Sequence, residues 1–294
     1  MKLKTLSWLG TASVYIVLVM GALVTNTGSG QGCGPHWPLC QGRWYPLLRT
    51  DMMIEWNHRL ITLIATLLIL WLAWRVFFRD PVTSSHKWLM GASLFFFFLE
   101  GGLGAATVLW PEPSEILALH FGVSLLAYSF VFLLAVALSA EEKTAPGQGA
   151  QVWHRLTFWL LLLTFATIYT GAYVHHTGSF CHGWPVCSGV GLFSWPGYLL
   201  PQLVHRLMAL ALFLVTLYWW KKGSSLTQAS LRQASQWGLL FMILQVVFGA
   251  FIAWQGATLL WTMLHAASVP LFFSAQLYGY YLTLPQRSQL RKAV

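Results

Sequence analysis

An all-α membrane protein is predicted, with eight transmembrane helices arranged as a tandem repeat of two four-helix bundles and both termini in the cytoplasm. Three observations predict it. Of 294 residues, 57% are hydrophobic and only 9% charged, where a soluble domain carries about 25% charged residues. Eight mostly apolar runs approach or exceed the roughly 20 residues that a helix needs to cross a bilayer. Short motifs recur 145 to 150 residues apart, as in Gly21-Ala22-Leu23-Val24 against Gly171-Ala172-Tyr173-Val174.

The first run, 6–24, follows Met1-Lys2-Leu3-Lys4 and has the outline of a signal peptide. Its apolar character continues through Gly21-Ala22-Leu23-Val24 with no small-residue cleavage site, so it reads as an uncleaved span. The absence of an Arg- and Ser-rich transit peptide points to a prokaryotic plasma membrane. The other runs are 55–78, 87–109, 116–139, 153–174, 202–222, 234–254 and 260–283. Lys2, Lys4, Arg75, Arg79, Lys87, Lys143, Arg155, Lys221, Lys222, Arg232, Arg287, Arg291 and Lys292 then fall on one side of the membrane, which the positive-inside bias makes cytoplasmic. The opposite side has Arg43 and Arg49 in its long first loop, plus Arg59 and Arg206 inside helix starts, so the net charge of +9 is spread along the chain. It is not gathered on one folded surface, as a nucleic-acid partner requires; membrane lipid is the expected surrounding.

The outer side holds two long loops, 25–54 and 175–201, and two short ones near Trp110–Ser114 and Gln255–Leu259. Glu55-Trp56-Asn57-His58-Arg59 is echoed by Gln202-Leu203-Val204-His205-Arg206 at an offset of 147, and Glu100, Gly104 and His120 by Gln245, Gly249 and His265 at 145. The organisation expected is an N-terminal repeat over 1–140, a polar linker over 141–151 and a C-terminal repeat over 152–294. Each unit has an even number of spans, so both copies insert the same way up.

His58, His120, His205 and His265 lie early in the second, fourth, sixth and eighth runs, all of which start at the outer surface. Two histidines per bundle at matching depth are placed to grip one planar group from both faces, and heme iron is the fitting occupant. Zinc would want three or four clustered ligands. Histidine also serves as a packing hydrogen-bonder between membrane helices, but four at one depth favour function, because intramembrane ionisable residues are costly. Arg59 and Arg206 are candidates for pairing with heme propionates; interfacial anchoring is the equal alternative. His36, His175, His176 and His182 fall in outer loops, His86 and His154 at cytoplasmic edges.

Glu55 and Glu100 are the carboxylates in or at the edge of spans, and both have glutamine as repeat counterpart. Glu55 shares a helix face with His58, which suits it to proton transfer; its alternative is bonding loop backbone at a helix start. Glu100, in mid-span, is a weaker candidate for a proton route or substrate contact. The pairs Cys33/Cys40 and Cys181/Cys187 face the oxidising compartment, where disulfide staples are the default. A thiol–disulfide relay remains the second reading.

With these residues placed, the chain resembles the heme A synthases of the Cox15/CtaA family over essentially its whole length. The resemblance rests on two four-helix repeats, histidines on the even helices, Glu55-x-x-His58 and the cysteine pair of the first outer loop. It implies oxidation of the C8 methyl of heme o to the formyl of heme a by successive hydroxylation and loss of water. It further implies that His58 and His120 bracket the substrate heme with Glu55 as the acid needed for activity, and that His205 and His265 ligate a resident heme b. Heme O synthase and the cytochrome oxidase assembly machinery are the partners it suggests, with an electron acceptor that the sequence does not identify. Cys181 and Cys187 belong to only part of that family. A bis-histidine cytochrome b passing electrons with quinone, a DsbB-like thiol oxidase and a heme transporter are the rival classes. The first does not explain why an acid is confined to one half, the second leaves the buried histidines unexplained, and the third predicts binding without turnover.

Overall fold

A computed structural model describes residues 1–36, 38–110, 114–139, 149–191 and 195–284. Its elements are α1 (Leu3–Asn26), α2 (Thr50–Trp74, ending in a π turn, Arg75–Arg79), α3 (Ser84–Leu109), α4 (Ser114–Ser139), α5 (Ala150–Thr177), α6 (Leu200–Ser224, entered through a 3-10 turn, Gly197–Leu199), α7 (Ala229–Gln255) and α8 (Leu259–Leu282). No strand occurs among the described residues.

Seven helices, all but α8, are long and apolar enough to cross a membrane. Eight spans were expected. In α8 the apolar run is diluted by Thr262, His265, Ser268, Pro270, Ser274, Gln276 and three tyrosines, most of which face protein rather than lipid. The expected linker falls largely outside the described residues, as do Lys143, Arg287, Arg291, Lys292 and Trp37. Where the chain is described again it is already helical by Ala150.

Local signals set several ends. Pro81 separates α2 from α3, and Thr83 caps α3 reciprocally with His86. Gly178, at φ +64°, closes α5 in the left-handed region that suits glycine. Within the helices, hydroxyls return to the carbonyl four residues back, as Thr62 does to His58 (2.8 Å) and Thr216 to Leu212 (2.7 Å). That satisfies them where no water is available.

Helices α1, α4, α5 and α8 meet at the centre, with α2 and α3 flanking one side and α6 and α7 the other. One buried cluster spans this centre and includes Leu18, Leu72, Leu125 and Val131 together with Leu161, Phe273 and Leu277. A second joins α5 to α8 around Trp153 and Trp219, whose rings stack at 4.9 Å. Lipid chains are as apolar as these side chains, so fit and hydrogen bonds hold such contacts. Here Trp153 Nε1 donates to the Trp219 carbonyl (3.1 Å) and Trp219 Nε1 to Thr157 (2.7 Å). The two flanks differ: α6 runs along α7, whereas α2 touches α3 only briefly.

Candidate functional site

The predicted histidines are brought to one place. His58, His120, His205 and His265 all line a single cavity of about 1990 Å³, bounded by both flanks and lined also by residues of the two cysteine loops. Ligand pockets usually hold roughly 300–1,000 Å³, so this one has room for two large groups.

Each imidazole lies against a glycine of the preceding helix. A Cβ on Gly21 would stand 3.5 Å from His58 Cε1, one on Gly104 3.1 Å from His120 Cε1, one on Gly171 2.8 Å from His205 Cε1 and one on Gly249 3.6 Å from His265 Cε1. Four glycines thus let four helices approach the rings. The sequence held this signal, since the offsets that align the histidines nearly align the glycines, but a role for them was not read from it.

The ring nitrogens are treated differently in the two halves. On the α5–α8 side His205 Nδ1 lies 3.0 Å from the Thr170 hydroxyl, and His265 Nδ1 3.2 Å from the Gln245 carbonyl. On the α1–α4 side His58 Nδ1 is buried with no hydrogen-bond partner among the described residues. His120 Nδ1 lies 3.1 Å from Glu100 Oε1, yet off line for a hydrogen bond. Thr170 was not anticipated.

Glu55 is buried, with 3% of its surface exposed, and lines the cavity. It does not sit at the helix start as expected: α2 begins at Thr50, and the acid of its first turn is Asp51. Glu55 nevertheless does bind loop backbone. Its Oε2 accepts from the Cys33 N–H (2.7 Å), and its Oε1 from Arg59 (2.5 Å), which also donates to the Leu39 carbonyl (2.7 Å). Gln202 repeats the plan with reversed polarity. With its amide oxygen toward Arg206 (Nη2 at 3.1 Å), its nitrogen donates to the Ser179 carbonyl at 2.9 Å. Arg206 then donates to the carbonyls of Pro185 (3.0 Å) and Gly183 (2.9 Å). The first loop therefore offers an N–H to a carboxylate and the second a C=O to an amide, matching what each side chain can do. Both arginines tie loops to helices in this structure.

Cys33–Cys40 and Cys181–Cys187 are both disulfides. The first is buried with Met52 under Trp56, and Arg206 lies 3.4 Å from Cys181 Sγ. His175 and His176, expected in the loop, form the last turn of α5 and line the cavity with His182. Glu100 accepts from the Ser124 hydroxyl. One asymmetry went unread in the sequence: all eight acidic residues lie between Asp51 and Glu142, so α5–α8 contain no carboxylate.

These residues fit a planar metal macrocycle in each half. Imidazoles come in pairs, glycines admit the rings, and the α5–α8 pair has both Nδ1 atoms committed, leaving Nε2 for a metal.

The family model COX15-CtaA, described as cytochrome oxidase assembly protein, matches residues 49–277. Heme A synthase of Symbiobacterium thermophilum is 36% identical over 299 residues, covering 96% of each chain. That of Bacillus pumilus is 39% identical over 223 residues, covering 72% of this chain and 71% of its own. That of Exiguobacterium sibiricum is 33% identical, covering 99% of each.

Proposed function

The chain belongs to the COX15-CtaA family of cytochrome oxidase assembly proteins, and on that premise we propose that it is a heme A synthase in which the α1–α4 half works on heme o while the α5–α8 half holds a heme b. It is a multi-pass membrane oxidoreductase that converts heme o to heme a. We read the halves as tandem repeats in a bacterial plasma membrane, with the lysine- and arginine-bearing ends cytoplasmic and the cavity toward the outer face.

The observation that carries the division is the exchange of Glu55 for Gln202 at equivalent places in one cavity. Turning a methyl into a formyl group removes protons as well as electrons. A carboxylate can accept them and an amide cannot. Glu55 has two further properties that suit the task. Arg59 and the Cys33 N–H aim both its oxygens, and its burial strengthens the local field.

His58 and His120 would hold the substrate heme, and His205 and His265 the heme b. The nitrogen pattern supports this allocation. A resident group is served by two ligands each met at Nδ1, as at His205 and His265, whereas a substrate that must leave as product is served by a pair in which His58 is uncommitted. Heme b, when bound, supplies one-electron redox chemistry. His58 orients the substrate from α2, on the same face as Glu55, so that binding and proton acceptance come from one rigid helix. Arg59 and Arg206 remain candidates for propionates at the cavity edge.

The reading is tested in a host that makes heme o but no heme a. Expression of this chain must yield heme a, and its continued absence with the protein in the membrane contradicts the function. The glycine contacts give a graded prediction. Gly171→Ala puts a methyl 2.8 Å from His205 Cε1, an overpacking that costs about 1–3 kcal/mol, and should markedly lower heme b content. Gly21→Ala, at 3.5 Å from His58, meets ordinary contact and should leave heme content near wild type. Hemochrome spectra of both purified variants measure this.

A further inference from the structure

We propose that Glu100 is a positioning residue for His120, fixing the tautomer and orientation of the ring that binds the substrate heme and making it the stronger donor of the two α4/α8 ligands. The inference rests on the reading of the α1–α4 half as the heme o site.

Glu100 and Gly104 stand one turn apart on α3, both facing His120 across the α3–α4 contact. Gly104 lets the ring come close, and Glu100 places Oε1 3.1 Å from Nδ1. Ser124, one turn beyond His120 on α4, holds that same oxygen through its hydroxyl. Its Oγ is also 2.9 Å from the His120 carbonyl, and its single proton serves one of these two acceptors at a time. The other oxygen, Oε2, is enclosed and has no partner among the described residues. A carboxylate in a span is costly, and a plain interhelical bond to Ser124 needs only an amide.

The α5–α8 half shows what an amide does there. Gln245 Nε2 donates to the His265 carbonyl (2.9 Å) and to Ser268 (2.7 Å), while the His265 ring meets only a backbone carbonyl, at 3.2 Å. The helices are joined equally well, but the imidazole receives a neutral acceptor. At His120 a small rotation brings Nδ1–H onto the carboxylate, leaving Nε2 for iron. A carboxylate behind a metal-binding histidine orients the ring and raises its basicity, and losing such a partner typically costs about 10–100-fold in affinity.

The test is Glu100→Gln, which keeps an oxygen for Ser124 and reproduces the Gln245 side chain. Purified protein is titrated with heme o, and the two hemes are followed by optical and electron paramagnetic resonance spectra and by redox titration. Affinity of the α1–α4 site should fall about 10–100-fold, its low-spin signal should change and its midpoint potential should rise, with the heme b signals unchanged. Wild-type affinity, spectrum and potential in the variant overturn the inference. If Glu100→Gln loses heme b as well, Ser124→Ala decides: it frees the carboxylate without removing it and must weaken heme o binding in the same direction, and an unchanged affinity overturns the proposal. Failure of wild-type protein to bind heme o in that half defeats instead the reading on which it rests.

Discussion

Glu55→Gln is expected to retain heme b, bind heme o and lose heme a formation by about 10²- to 10⁴-fold, the range that a positioned proton acceptor contributes. The substitution is nearly isosteric, so the cavity keeps its shape. What changes is polarity. Both Glu55 oxygens receive donors, the Cys33 N–H and Arg59, and an amide must turn its NH2 toward one of them. The first loop then loses one of its holds on α2, Arg59 loses its counter-charge, and the proton acceptor nearest His58 in sequence is gone. The Gln202 environment tolerates an amide because the second loop presents the Ser179 carbonyl in that place. Heme extraction from the expressing cells measures the effect. Heme a at the wild-type level would remove Glu55 from the chemistry and leave it as a strut between α2 and the first loop.

His265→Ala should produce the second largest change, with loss of heme b, loss of heme a formation and retention of heme o. Truncation would remove one of the two imidazoles proposed to hold heme b and open a void beside Gly249, where an added Cβ would stand 3.6 Å from the ring. The α5–α8 half has no carboxylate to take its place, and His205 is engaged through Nδ1 with Thr170. His58→Ala should do the reverse, sparing heme b and abolishing heme o binding. Reciprocal loss in the two variants is the signature of two separately ligated groups. Loss of both hemes from each variant would mean that the cavity holds them as one coupled unit.

The helical class and the four histidines could be read from the chain because apolar length and residue spacing alone determine them. Other features were not readable, for physical reasons. The start of α2 at Thr50 depends on the first loop lying over it. Gly32 permits that approach, since a Cβ there would meet the Asp51 backbone at 2.8 Å, and the Cys33–Cys40 disulfide packs on Met52. Thr50 and Asp51 are a modest helix-start signal that the apolar run beginning at Glu55 overshadowed. His175 and His176 read as loop residues because a polar pair ends the apolar run, yet the helix continues to the glycine that can reverse the chain at Gly178. Glu100 looked like an isolated mid-span acid because its partners, Ser124 and His120, lie on another helix. The arginines were weighed as anchors or propionate contacts, while their bonds to loop carbonyls depend on where the disulfide-closed loops fold back.

The most direct test of the two-heme account is acid extraction and chromatographic identification of the hemes in protein purified from cells that make heme o. The account predicts heme b together with heme o, heme a or a hydroxylated form between them. Heme b alone, in two equivalents, would contradict it and make the chain an electron-carrying cytochrome.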